Sequence, residues 1–203
     1  MSLHRIEQGQ DGYPDTLIRY LGRDAPVAIT MLGNATLLDA ELTALFVSVR
    51  CPGNLILKLH GQVEALRDAG TTVISGFHTP VEQHCLTLLL RGTQPVVTCP
   101  ARGLAKFRMP AAWRPVLEAD RLLLLSAFPG SVTRATAATA MFRNQFVAAL
   151  ADQILVGHAE PGGKIEALVK EAKGWGKRVI ADCGPVARRA EGDRRCPDED
   201  FSH

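Results

Sequence analysis

Apolar positions fall into short blocks separated by stretches of helical periodicity. The blocks are Ala44–Val49, Thr72–Ser75, Pro95–Cys99, Leu122–Ser126, Ile154–Val156 and Arg178–Ala181. Each is β-branched or leucine-rich and is bounded by glycine, proline or charge, as strands buried on both faces should be. Between the first two, Ile56, Leu59, Val63 and Leu66 recur at spacings of three and four before Gly70. Ile165, Leu168, Val169, Ala172 and Trp175 repeat the pattern before Gly176, so both segments read as amphipathic helices with a glycine stop. Short strands alternating with helices predict repeated βα units, and hence an α/β fold with a mainly parallel sheet covered on both faces.

The pattern weakens at both ends. Residues 1–40, with Tyr13-Pro14 and Leu32-Gly33-Asn34, read as a lead-in that covers a sheet edge. Residues 41–184 form the main domain. After Pro185, Arg188-Arg189, Arg194-Arg195 and Asp198-Glu199-Asp200 with little apolar content predict a disordered tail over residues 185–203.

Composition narrows the class. Hydrophobic residues make up 46% and charged residues 22%, a globular balance that excludes a wholly disordered chain. No stretch approaches the roughly 18 to 20 apolar residues of a membrane span, and the start carries no signal-like apolar region. A cytoplasmic protein without membrane contact is expected. Cys51, Cys85, Cys99, Cys183 and Cys196 lack C-x-x-C spacing, which suits reduced thiols better than disulfides or a zinc ribbon. From Ala101 to Ala151 seven basic residues face two acidic ones, a net of +5 that leaves −3 for the rest of a chain whose net is +2. Such an excess attracts polyanions or is a solvated face.

In an open parallel sheet ligands bind beyond the carboxyl ends of the strands, where helix N-termini offer unpaired N–H groups. The loop after the first strand runs Ser48-Val49-Arg50-Cys51-Pro52-Gly53-Asn54, and the Arg50 guanidinium either forks onto a phosphate or caps a carbonyl. The second loop is Ser75-Gly76-Phe77-His78-Thr79-Pro80-Val81-Glu82, in which Thr79, Pro80 and Glu82 spell a capping box. Gly76 admits close approach to the backbone, and His78 is a phosphate or base contact or a surface histidine. His78, His84 and Cys85 do not converge on one helical face, so no metal is expected there. The third loop, Pro161-Gly162-Gly163-Lys164, places two glycines and a lysine at a helix start, which presents N–H donors and a point charge to a phosphate. It departs from a P-loop: no upstream glycine is present, and Ile165 stands where that motif has its magnesium-binding hydroxyl. Arg143 and Asn144 fall beside the buried face of a helix carrying Phe142, Phe146 and Ala149, and either donate toward a ligand or tie down backbone.

In their order along the chain these loops resemble the DNA-processing protein A family (DprA/Smf), over roughly Tyr13 to Asp182. Val47-Ser48-Val49-Arg50 is similar to that family's strand ending in G-S-R, and Ser75 to Glu82 to its S-G-x-A-x-G-I-D loop. Arg143-Asn144-Gln145 resembles its R-N-R segment, and Pro161 to Ala167 its S-G-S-L-x-T-A helix start. Ser48 and Pro80 stand where the family has glycines. The resemblance implies a Rossmann-like three-layer domain, in a wider nucleotide-binding group that includes the LOG-type phosphoribohydrolases.

The resemblance also implies a non-enzymatic protein that binds single-stranded DNA, with roles in DNA uptake, transformation and recombination. Phosphates would meet Ser48, Arg50, Ser75, Gly76, Phe77, His78, Arg143, Asn144, Gly162, Gly163 and Lys164. Aromatics make up only 5%, which limits base stacking to Phe77 or Phe107. The expected partners are single-stranded DNA or a nucleotide, a RecA-type recombinase and a second copy of the chain. No catalytic residue, metal or cofactor is expected. The alternatives are a LOG-like nucleotide-binding protein or phosphoribohydrolase, suggested by Pro161-Gly162-Gly163 with Glu166, and a structural partner protein.

Overall fold

The computed structural model describes residues 2–180, so the expected tail lies outside the described residues. The chain runs β1 (His4–Glu7), α1 (Asp15–Leu21), β2 (Ala28–Gly33), β3 (Leu42–Val47), α2 (Gly53–Asp68), β4 (Thr72–Ser75), α3 (Pro80–Leu90), β5 (Val96–Thr98), α4 (Arg114–Glu118), β6 (Leu122–Ser126), α5 (Ala137–Leu150), β7 (Gln153–His158), α6 (Lys164–Gly174) and β8 (Arg178–Ile180). Eight strands form one sheet in the order β1-β2-β6-β5-β4-β3-β7-β8. The six strands from β6 to β8 are parallel.

The sheet divides the apolar side chains into two cores. One face packs Leu59, Val63 and Leu66 of α2 with Cys85 and Leu89 of α3 and Val116 and Leu117 of α4. The other packs Phe146, Val147 and Leu150 of α5 with Leu168 and Ala172 of α6 and Leu17 of α1. All five residues of β6 and all six of β3 are buried, which is why these strands read as continuous apolar runs rather than alternations.

The lead-in does more than cover an edge: β1 pairs antiparallel with β2, and β2 antiparallel with β6. Ile29 and Met31 alternate inward along β2, a period-two signal spread over too few residues to register in the sequence. The strand predicted at Ala44–Val49 begins and ends two residues earlier: its register against β7 shifts at Phe46/Val47, after which Ser48 keeps one backbone bond to His158 and Val49 is exposed. Among the described residues no helix is long and apolar enough to cross a membrane.

Candidate functional site

Chain order across the sheet reverses between β3 and β7. From β3 the chain steps outward through β4, β5 and β6, then returns to place β7 on the other side of β3. The loops leaving β3 and β7 therefore part in opposite directions and open a crevice above the carboxyl edge, the usual ligand position in such sheets. A cleft of about 720 Å³ lies there, lined by Ser48, His78, Arg143, Asn144, Gly163 and Lys164, among others. That is ample for a nucleotide-sized group.

Its floor is tied together from within. The buried Glu82 carboxylate accepts from the N–H groups of Val47 (3.1 Å), His78 (2.8 Å) and Thr79 (3.1 Å). The predicted capping box is present: Thr79 Oγ1 accepts from Glu82 N–H at the start of α3. One carboxylate thus fastens the end of β3 to the β4–α3 loop as well as closing its own helix. Ser75 is part of the same lashing, with its hydroxyl donating to the Leu45 carbonyl (2.8 Å) and accepting from Phe77 N–H (3.3 Å). Phe77 adopts a left-handed backbone (φ 45°) that is rare for a bulky residue, and its ring is only 5% exposed.

Arg143 projects from α5 and is only 4% exposed. Its Nη1 donates to the Cys99 carbonyl (3.0 Å) and its Nε to Asn144 Oδ1 (2.8 Å). Nη2 makes no hydrogen bond among the described residues. Burial lowers its pKa, and the charge of Glu82 opposes the shift; an arginine keeps its charge at neutral pH regardless. The guanidinium lies directly against Gly76, which has no side chain to obstruct it.

The Pro161-Gly162-Gly163 loop does not leave both glycine N–H groups open. Gly162 N–H donates to a carboxylate oxygen of Glu166 (2.6 Å), and Gly163 N–H to the Glu160 carbonyl (2.8 Å). The helix that follows, α6, has no side-chain cap, so its first-turn N–H groups face the cleft unaided. By contrast α5 opens with a Thr136/Thr139 capping box.

A second cavity of about 550 Å³ adjoins the cleft and shares His78, Ala135 and Arg143 with it. Gly76, Phe77, Arg102, Phe107 and Trp113 are on its walls. Phe107 stacks on Trp113 with ring centroids 6.1 Å apart, and Arg102 lies over the Phe107 ring at 5.1 Å.

Of the expected ligand contacts, the cleft collects Ser48, His78, Arg143, Asn144, Gly162, Gly163 and Lys164. Gly76 and Phe77 line the neighbouring cavity, and the buried Phe77 ring offers no stacking face, which corrects that expectation. Ser75 is turned into the core, where its hydroxyl is used by Leu45. Arg50 stands at the rim: its exposed guanidinium is 3.7 Å from the Glu160 carboxylate, a cleft residue. Arg143 ties down the Cys99 backbone carbonyl, Asn144 accepts from its Nε, and both residues line the cleft. Glu166, the acid of the phosphoribohydrolase reading, is bonded to Gly162 and is not on the cleft wall.

Sequence reading missed the Ala135-Thr136-Ala137 wall and the tether role of Glu82. Thr136-x-x-Thr139 is a weak capping pattern because threonine replaces the usual Glu or Gln. Among the described residues no three His, Cys, Asp or Glu side chains cluster around a common metal position.

The family model for DNA recombination-mediator protein A matches residues 4–197. The fold is similar to the X-ray structure of DNA processing protein A from Streptococcus pneumoniae, with a TM-score of 0.72 and 19% identity over 87% of this chain. That match takes in 62% of the pneumococcal chain, so this chain spans less than two thirds of it. A structure of DNA processing protein A from Helicobacter pylori, described for its single-stranded DNA binding mode, aligns with a TM-score of 0.68 at 19% identity. It covers 87% of this chain and 79% of the other. No curated protein sequence matches.

Proposed function

The chain belongs to the DNA recombination-mediator protein A family, and on that premise we propose that it binds single-stranded DNA through phosphates held at the cleft between β3 and β7. The observation that carries this reading is the cleft at the topological switch point, whose wall the uncapped α6 start and Lys164 share with the buried Arg143. An arginine fixed by two hydrogen bonds keeps its fork in place when an oxyanion approaches its remaining edge. The H. pylori protein is described as binding single-stranded DNA, and the same ligand class suits this site.

The basic stretch supplies a path away from the cleft. Lys106, Arg108, Arg114 and Arg134 are exposed, and Arg102 and Arg121 are partly so. Arg121 is committed to the Gly92 carbonyl at 2.6 Å and is better read as structural. Arg102, Phe107 and Trp113 belong to the cavity next to the cleft, so a strand leaving past His78 would meet positive charge at once. Affinity on this reading is mainly electrostatic and largely independent of base sequence. Loading of a RecA-type recombinase and pairing with a second copy extend the same proposal and rest on family membership.

The test is a titration of the purified protein into a labelled single-stranded oligothymidylate, followed by anisotropy, with AMP and duplex DNA as competitors. Binding that excess AMP does not displace is the expected result. Displacement by AMP at comparable concentration would replace the DNA reading with a nucleotide site.

A further inference from the structure

The cavity beside the cleft has two walls of different character. One is α3, whose Gln83, Leu86, Thr87 and Leu90 fall at spacings of three and four and line it along one helix face. The other comes from the segment after β5, which carries Arg102, Phe107 and Trp113. Two tight turns bring the rings of that segment together. Phe107 N–H donates to the Leu104 carbonyl (2.9 Å) and Trp113 N–H to the Pro110 carbonyl (3.0 Å). The rings stack with 29° between their planes, and both residues remain partly exposed.

This wall is fixed in place by the loop that follows β6. The Arg102 carbonyl accepts from the Ser126 hydroxyl (2.8 Å), Gly103 N–H donates to the Val132 carbonyl (2.9 Å), and Arg102 Nη1 donates to the Thr133 carbonyl (3.3 Å). A Cβ at Gly103 would lie 2.3 Å from the Pro129 carbonyl oxygen, so the two segments meet backbone to backbone. Arg102 is thereby held over the Phe107 ring, and among the described residues no carboxylate pairs with its charge. Phe107 is engaged by both neighbours, whereas the Trp113 indole has no ring or cation partner besides Phe107 among the described residues. A preset wall of partly exposed rings with positive charge beside it suits a planar π system attached to an anion.

We propose that this cavity is a base-stacking site: a nucleobase of the strand whose phosphates occupy the cleft enters past His78 and stacks on Trp113. The two hollows are continuous, since His78, Ala135 and Arg143 line both, and this continuity is what makes the occupant a base of the same strand. The inference rests on the single-stranded DNA reading of the cleft and adds to it a residue that meets bases. Every base has a π face, so such a site raises affinity without imposing a sequence. It also favours unpaired strands, because a base held in a duplex stack cannot turn into the cavity.

The probes are a labelled oligothymidylate and an oligomer of the same length with abasic sugars throughout, which keeps the phosphates and removes the bases. Both are titrated at about 50 mM salt, where electrostatic contacts are strong. The chain has two tryptophans, and Trp175 stacks on Tyr20 (5.3 Å) outside both cavities, so Trp175→Phe leaves Trp113 as the fluorescent reporter. Oligothymidylate is expected to quench Trp113 emission in that variant, and wild type is expected to bind it more tightly than the abasic oligomer. Trp113→Ala should weaken oligothymidylate binding about 5- to 100-fold, the range that one stacked base provides, and leave abasic binding unchanged, which also shows that the variant folds. Trp113→Phe keeps a ring and should recover most of the loss. Equal affinity of wild type for the two oligomers, unquenched Trp113 at saturation, or a base-dependent preference that persists in Trp113→Ala would overturn the stacking site and leave the phosphate reading of the cleft intact. Failure of wild type to bind either oligomer would overturn both.

Discussion

A Cβ at position 76 would lie 1.4 Å from Nη1 of Arg143 and 1.9 Å from its Cζ. Gly76 is therefore the space through which the arginine reaches the Cys99 carbonyl. Gly76→Ala must push a buried guanidinium off that carbonyl, and overpacking of this kind costs about 1–3 kcal/mol. The expected outcome in urea unfolding is a lower midpoint with an unchanged slope, together with weaker binding to single-stranded DNA. Wild-type stability in Gly76→Ala would mean that Arg143 has another resting place.

Glu82 carries a heavier structural load. Each buried N–H left without an acceptor costs about 1–3 kcal/mol, and Glu82→Ala strands those of Val47 and Thr79 together, while the N–H of the exposed His78 can turn to water. A loss of at least about 2 kcal/mol is expected from urea melts, with Glu82→Gln losing less because one acceptor oxygen remains. A substitution without measurable cost would show that water satisfies these groups.

The thiols give a pH prediction. Burial pushes both Cys85 and Cys99 up to about 12 from an ordinary value near 9; the nearby Glu82 raises Cys85 further, while Arg143 opposes the rise at Cys99. Between those pH values the unfolded chain has released protons that the folded chain still holds, so stability falls as pH rises above about 9. Below that range both thiols are protonated in either state and contribute no pH dependence. Native alkylation at neutral pH, mapped by mass spectrometry, should leave Cys85 and Cys99 unmodified until denaturant is added. Labelling of either in the native protein would contradict their burial.

Much of this architecture is visible in the sequence because its strands are doubly buried. Leu122–Ser126 and Thr72–Ser75 appear as uninterrupted apolar runs and are strands with those bounds. The Thr79-Pro80-Glu82 capping box was equally legible, since it depends on local chemistry alone. β1 and β2 were not, because antiparallel strands of four and six residues carry only a few alternating positions.

The site was legible to the same depth. Loop positions follow from strand order, which brings Ser48, Arg143 and Lys164 to one cleft. What each polar atom does there is a tertiary matter. Ser75 gives its hydroxyl to Leu45, thirty residues away, and Glu82 reaches thirty-five residues back to Val47. The Gly162 N–H, an open donor by its sequence, is claimed by a carboxylate one turn along α6.

Lys164 offers the cleanest probe of phosphate contact, being exposed at the first position of α6 and on the cleft wall. Lys164→Ala is expected to leave the melting temperature nearly unchanged and to weaken DNA binding uniformly across base sequences, as loss of a backbone contact does. A change in sequence preference would place it against a base instead.

The central claim is that this cleft holds single-stranded DNA by its phosphates, and the salt dependence of binding tests it most directly. Each neutralised phosphate contributes about −0.7 to the slope of log K against log salt for single strands, so four or five contacts give a slope of roughly −3. Lys164→Ala should flatten that slope by about 0.7 if it meets one phosphate. A protein that fails to bind single-stranded DNA at about 50 mM salt, where such contacts are strongest, while binding AMP, would contradict the account.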